Sequence, residues 1–326
     1  MHPKEELIKN GICTQEELQR LIEKFSISKA NDIKNTKNYP IYEFSNEQIF
    51  LLSTPHHFLE TIWQLFVENI ENEEKSKKSD TFNTQRKNYT ENLLEKIVRK
   101  AFPQGKIWKN LLYPFNPRNP KDKAELDLLL IYKKTALIFE VKAGRHFRPE
   151  DKYKFHKDRV KETLIDSYKQ AKRFRDFLEN TEKSRISQIL KINKKSIEIK
   201  KVFLCCVTLD HLANFGFNTE NLDLKEITYP PKDNPLTISI DDLEIILDNC
   251  NKPEIFISYL EQRKQVLQVL IEKSLKAIDE LDPFGYFLDE GKLVKKNFSG
   301  LRYISNFSGP KFDEKYLNLY LSKNNT

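Results

Sequence analysis

The chain has 326 residues, with 55 lysines and arginines against 48 acidic residues, giving a formal net charge of +7. A hydrophobic fraction of 39% beside a charged fraction of 32% is enough for a real core under a heavily solvated surface, which excludes a disordered chain. Only 8 glycines occur, and neither GxxxxGK[ST] nor GxGxxG is present, which excludes the glycine loops that cradle nucleotide phosphates.

The modest positive charge is by itself a weak pointer to a polyanionic partner. The four cysteines, Cys13, Cys205, Cys206 and Cys250, form no CxxC pair, so a cysteine zinc site is not expected. Cys205 and Cys206 lie within the apolar run "KVFLCCVTL" and read as buried strand residues. The opening "MHPKEELIKNG" lacks the apolar stretch of a secretory signal, and no run is long enough to span a bilayer. The expected location is the cytoplasm.

In chain order, Thr14 and Glu17 in "TQEELQRLIEKF" form a capping-box helix start. A second helix is expected from Thr54-Pro55, with Phe58, Ile62, Leu65, Phe66 and Ile70 at helical spacing. The charged run "ENEEKSKKSD" reads as a linker, so residues 1–80 are predicted to be a small helical module with that linker. A third helix is expected over Tyr89–Ala101, then two strands, "ELDLLLIY" and "TALIFEVK". A basic helical stretch containing "KETLIDSYKQAKRFRDFL" follows. After it come the strands "IEIKKVFLCCVTL" and "LTISI" and the helix "LEIILDN", capped by Asp241 or Asp242. These define a second domain, 81–250, and a mostly helical segment, 251–326. The order of elements is mixed α/β. Both faces of the 125–142 hairpin are largely apolar, so it should be central, in a sheet flanked by helices.

The chemistry lies on that hairpin. A two-residue turn at Lys133-Lys134 sets Tyr132 against Thr135, Asp127 against Glu140 and Glu125 against Lys142. Period-two alternation then puts Glu125, Asp127, Glu140 and Lys142 on one face. Leu126, Leu128, Leu130, Leu137, Phe139 and Val141 fall on the other. Opposed carboxylates on an apolar hairpin are destabilising unless they are paired or bind metal. A hard divalent cation resolves the conflict, because Mg²⁺ takes carboxylate oxygens, keeps waters and bridges to phosphate. Lys142 beside it suits orienting a metal-bound water or offsetting phosphate charge. The structural alternative is a plain ion-paired strand end, with Lys142 satisfying Glu140 or Glu125.

The pieces "ELD" with Asp127 and "FEVKAG" with Glu140 and Lys142 resemble the PD-(D/E)xK superfamily, of the Mrr-like or nuclease-related-domain type. The resemblance covers roughly residues 85–250, and Leu126 stands where the name motif has proline. It implies a restriction-endonuclease-like core, a four-stranded mixed sheet flanked by helices, with helical additions at both ends. It also implies phosphodiester cleavage dependent on Mg²⁺ (or Mn²⁺), with the metal held by Asp127, Glu140 and the carbonyl of Val141. The family often places a glutamate on its first helix. Glu91 lies about 70° and Glu95 about 110° from the centre of the apolar stripe, so Glu91 is the better candidate. A QxxxY pattern on the helix after the ExK strand is matched by Gln170, with Phe174 in the tyrosine position. Gln170 is thus a candidate for holding the water or the scissile phosphate.

Candidate contacts to the nucleic-acid backbone are Lys172 and Arg173 on that helix, Arg145 and Arg148 in the loop after Gly144, and Arg118, Lys121 and Lys123 in the proline-rich loop before the hairpin. No HExxH, HxK(x)4D or GxSxG occurs, and the cysteines do not match those of iron–sulfur exonucleases. The expected activity is a DNA endonuclease, with defence against foreign DNA suggested by analogy. RNA as substrate, or a non-catalytic nucleic-acid-binding or scaffold module, are the competing readings. The terminal helical segments are candidates for a homodimer seam or for a partner protein.

Overall fold

The computed structural model describes residues 2–3, 14–27, 41–45, 48–51, 70, 73, 81–115, 121–144, 153–193, 198–210, 235–272 and 280–291. The chain forms two compact units, Met1–Thr84 with Phe147–Lys152, and Gln85–His146 with Tyr153–Thr326.

In the first unit, β1 (His2–Pro3), α1 (Gln15–Phe25), β2 (Ser26–Ile27), β3 (Ile41–Ser45) and β4 (Gln48–Leu51) give a four-stranded sheet of order β1-β4-β3-β2. The capping box forms as expected: Thr14 N donates to Glu17 Oε2 at 2.8 Å and Glu17 N to Thr14 Oγ1 at 3.2 Å. The expectation of a small helical module is corrected by the sheet. "IYEFS" and "QIFL" are dense in β-branched and aromatic side chains, and they pair antiparallel with Tyr42 opposite Phe50. Apart from Ile70, the helix expected from Thr54 lies outside the described residues.

The second unit contains α2 (Thr81–Ala101), β5 (Lys106–Pro114), β6 (Lys123–Tyr132), β7 (Thr135–Lys142), α3 (Tyr153–Asn180), α4 (Lys183–Leu190), β8 (Lys201–Thr208), β9 (Leu236–Ser239), α5 (Ile240–Asn249), α6 (Pro253–Glu272) and α7 (Leu281–Glu290). Its sheet has the order β5-β6-β7-β8-β9. The first three strands are antiparallel and the β7-β8 and β8-β9 pairs parallel, so the sheet is mixed. Five strands stand where four were implied, and β5 is the one the sequence reading passed over. α2 begins eight residues before the expected Tyr89, because its early buried face is polar (Arg86, Thr90, Glu91) and shows no apolar periodicity.

Helices cover both faces. On one, Leu94 and Val98 of α2 meet Leu128, Leu130, Phe139 and Val207, with Leu243 and Phe256 from further along the chain. On the other, Tyr168, Ala171 and Phe174 of α3 meet Tyr113, Leu129, Ile138 and Leu204. The segment after 250 is not a separate addition: Phe256, Tyr259, Leu260, Phe284 and Phe287 complete the first of these clusters. Arg263 of α6 fastens it. Its guanidinium is buried, bonds Glu280 at the start of α7 (Nη2–Oε2 2.8 Å) and donates to Pro235 O at 3.2 Å. Arg263→Ala takes the countercharge from the buried Glu280, which keeps the hydrogen bond from the Tyr259 hydroxyl, so a loss of about 3–5 kcal/mol is expected in urea denaturation.

The hairpin turn at Lys133-Lys134 is unusual in sequence, and Lys133 takes φ +53°. Glu254 of α6 holds it, accepting from Lys133 Nζ at 2.5 Å and from Tyr132 Oη at 2.7 Å. Those two bonds lower the Glu254 carboxyl to about 2. Gly105, between α2 and β5, has no room for a side chain: a Cβ there would lie 2.4 Å from Leu130 Cδ1 and 3.1 Å from Phe102 O. Leu130 is fully buried in the core cluster with Phe102, so moving it aside disturbs its neighbours. Gly105→Ala is therefore expected to lower stability by about 1–3 kcal/mol, read as a lower denaturation midpoint at constant slope. Among the described residues no helix is long and apolar enough to cross a membrane.

Candidate active site

The β6-β7 register is the one the two-residue turn dictates, running from Tyr132↔Thr135 to Leu128↔Phe139. The ladder stops there, one step short of Asp127 and Glu140. At that point the Val141 N–H has lost its strand partner, and the Asp127 side chain replaces it: Oδ2 accepts from Val141 N at 2.7 Å. A second irregularity faces it across β5. Continued through its unpaired step, the β5-β6 register sets Asn110 opposite Asp127, and Asn110 has φ +50°.

Alternation slips by one residue at this pair. Trp108 and Leu111 face the α3 side together, as do Leu126 and Leu129, although residues three apart in a regular strand face opposite ways. Leu126, expected beside Leu128, is thus moved to the other face. Glu125 is also not where it was expected. It pairs with Leu112 in β5 and lies 3.9 Å from Lys87, away from Lys142.

Three carboxylates are buried around this break. Asp127 is 8% exposed, Glu140 2% and Glu91 3%. Burial, and then the Asp127 charge, push the Glu140 carboxyl up to about 9, against the pull of Lys142 and Arg173. Its Oε1 is buried and has no hydrogen-bond partner. Glu91 reaches in from α2. Burial and Asp127 raise its carboxyl too, opposed by Lys87 (3.5 Å) and Lys109 (3.9 Å). Its Oε1 is likewise buried and without a hydrogen bond. The competing helix carboxylate, Glu95, is instead paired with Arg99 at 2.8 Å. Lys87 feels all of this: burial works to lower its ammonium, but Asp127, Glu91 and Glu125 outweigh that and raise it.

Lys142 points toward α3, where its Nζ donates to Gln170 Oε1 at 2.7 Å. Phe174, in the tyrosine position of the helix pattern, is fully buried and packs edge-on to Tyr113 with ring centroids 4.8 Å apart. Arg173 Nε donates to the Tyr113 hydroxyl at 3.3 Å, and its charge reaches Glu140. Lys172 is held by Asp176 at 2.5 Å. Lys121 and Lys123 are exposed, and Arg118, Arg145 and Arg148 lie outside the described residues.

Sequence reasoning missed Arg86. It is buried, its Nε donates to Ala143 O at 3.0 Å, and its Nη2 bonds Asp210 Oδ1 at 2.9 Å. It ties α2 to the backbone just after Lys142 and to the end of β8. An arginine on the polar half of a helix gives no signal in sequence, and only its burial singles it out. Cys205 and Cys206 are buried and neither is in a disulfide, and burial pushes the Cys206 thiol up to about 12, so it stays protonated. Among the described residues no three His, Cys, Asp or Glu side chains are grouped to hold a metal ion by themselves.

Residues 86–203 match the family model of the nuclease-related domain (NERD). The matched stretch opens at Arg86 and contains Glu91, Asp127, Glu140, Lys142 and Gln170. Comparisons with curated proteins and with solved structures give no match.

Proposed function

We propose, on the premise that residues 86–203 form a nuclease-related domain, that the chain is a Mg²⁺- or Mn²⁺-dependent nuclease that hydrolyses phosphodiester bonds, with DNA as its substrate. The observation that carries this reading is the buried Glu140 carboxylate. It has an oxygen without a partner and lies next to Asp127 at the point where the β6-β7 ladder opens. Two adjacent buried carboxylates repel, and a natural fold keeps such a pair where a cation offsets the cost.

Asp127, Glu140 and the Val141 carbonyl would hold that ion. Two carboxylates and one carbonyl suit a metal that keeps waters and shares phosphate oxygens, rather than one enclosed by protein. When bound, the ion supplies Lewis-acid polarisation of the phosphate and an acidified water. The chain's own groups do the rest. Gln170 fixes the Lys142 ammonium through one of its three N–H bonds, leaving two for a phosphate oxygen. Glu91, flanked by Lys87 and Lys109, would accept a proton from, or orient, a water on the α2 side. Arg173 adds positive charge from α3. A role in defence against foreign DNA belongs to this proposal by family analogy, and phage challenge of expressing cells tests it. Cutting both strands of a duplex with this site would call for two copies of the chain, which sedimentation in the presence of DNA examines.

The test is digestion of plasmid, linear DNA and RNA with Mg²⁺ or Mn²⁺, with and without EDTA. Wild type is expected to cut DNA, EDTA to stop it, and Lys142→Ala to slow it by at least about 10²-fold with the fold retained by circular dichroism. Binding without cleavage of any substrate would favour a scaffold module, and undiminished cleavage by Lys142→Ala would remove the lysine from the mechanism.

A further inference from the structure

Beside the site lies a recess of about 640 Å³ between the end of β5 and the last turns of α3, continuing to α4. Its chemistry is basic and aromatic. Lys169, Arg173 and Arg185 line it, together with Phe115 and Phe177. The acidic Asp176 in its wall is already engaged by Lys172 at 2.5 Å and Arg175 at 3.3 Å, which leaves Glu182 as the other acidic group there. Among the described residues Lys169 and Arg185 make no ion pair, and both are exposed.

Phe115 is the unusual member. It is 42% exposed, large and apolar, yet its backbone is fixed by Phe115 N donating to Asp122 O at 3.2 Å. The Arg173 guanidinium sits 5.2 Å from its ring centre. Arg173 is also the residue whose charge reaches Glu140, and Gln170, which holds Lys142, lies on the same helix, so α3 borders both the recess and the candidate active site. Along α3 the row from Gln170 to Asn180 is about 15 Å long at the helical rise, enough for a few nucleotides of extended chain.

We infer that this recess is a single-strand track: it takes an unpaired stretch of nucleic acid flanking the scissile phosphate, with a base stacked on Phe115 and backbone phosphates on Lys169, Arg173 and Arg185. This deepens the proposed nuclease activity and rests on it for the position of the scissile bond. The choice of an unpaired strand follows from the aromatic. A base inside a duplex has its faces covered by its neighbours, whereas a splayed base offers one to a fixed, exposed ring. A row of lysines and arginines alone would serve duplex phosphates equally well. The recess adds to that row an exposed phenylalanine with an arginine over its ring.

Fluorescence anisotropy with the full-length chain in EDTA tests this, using a labelled oligothymidylate of about 12 nucleotides and a blunt duplex of equal length. Wild type is expected to bind the single strand at least about tenfold tighter than the duplex. Phe115→Ala should weaken single-strand binding about tenfold and leave duplex binding unchanged, and Phe115→Trp should restore it. Lys169→Ala with Arg185→Ala should lower the slope of log K against log salt by about 1.4 for the single strand. Equal single-strand affinity in wild type and Phe115→Ala, or tighter binding of duplex than of oligothymidylate, overturns the track. The two readings fail separately. A chain that binds oligothymidylate through Phe115 but cuts nothing defeats the nuclease and keeps the track. A chain that cuts tailed duplexes equally well with and without Phe115 defeats the track alone.

Discussion

Asp127→Asn is expected to lower metal-dependent cleavage by more than about 10³-fold while leaving stability in EDTA unchanged or raised. The two halves of that result have different causes. Cleavage falls because an amide is a poor ligand for a hard divalent cation. Stability holds because the bond Asp127 accepts from the Val141 N–H at 2.7 Å is within reach of an asparagine oxygen. The substitution also removes a negative charge that raises both Glu140 and Glu91. Asp127→Ala separates the effects: it strands the buried Val141 N–H and should cost about 1–3 kcal/mol. Cleavage rates and denaturant midpoints of both variants are the check. A large loss of stability in Asp127→Asn would mark the carboxylate as half of a structural ion pair, with no call for a cation.

Glu140→Gln should abolish cleavage and, without metal, stabilise the protein increasingly as pH rises. The sign follows from linkage. The folded carboxyl sits at about 9 and the ordinary value is 4.5, so between those limits the folded state keeps a proton that the unfolded chain has released. Stability from this group is therefore full below about 4.5 and drains away as pH climbs toward 9, by an amount on the order of several kcal/mol. Glutamine carries no such dependence. Melting in EDTA across pH 5 to about 9 should show wild type declining more steeply than Glu140→Gln, with the variant the more stable at the alkaline end. Added Mg²⁺ should flatten the wild-type decline, since the ion takes the deprotonated form. Parallel pH profiles for the two proteins in EDTA would show that Glu140 finds a partner in solution.

Much of the site was legible because its carrier is regular. The run from Leu128 to Phe139 alternates cleanly around a two-residue turn, which fixes the register up to the last paired step. Glu91 was legible over Glu95 because helix geometry separates their directions, and the structure buries the first while pairing the second with Arg99. The rest was hidden where local pattern stops deciding. The slip at Asn110 and Asp127 breaks the period-two rule, and no single strand's sequence announces where its partner ends. Arg86 acts through contacts at separations of 57 and 124 residues, beyond any helical or strand period. The helices after residue 250 are amphipathic either way, and only the unfilled apolar face of the sheet determines that Phe256 and Phe284 belong to this core. The β3-β4 hairpin was passed over because its strands are short, although its residue types favour them.

Calorimetric titration of the full-length chain with Mg²⁺ or Mn²⁺, in buffers of different ionisation heat, bears most directly on the cation held by Asp127, Glu140 and Val141. Wild type should bind at a single EDTA-reversible site and release protons as Glu140 gives up its own, while Asp127→Asn and Glu140→Gln should show no such site. Equal binding by all three proteins, or saturable binding with no proton release, would contradict a cation seated between these two carboxylates.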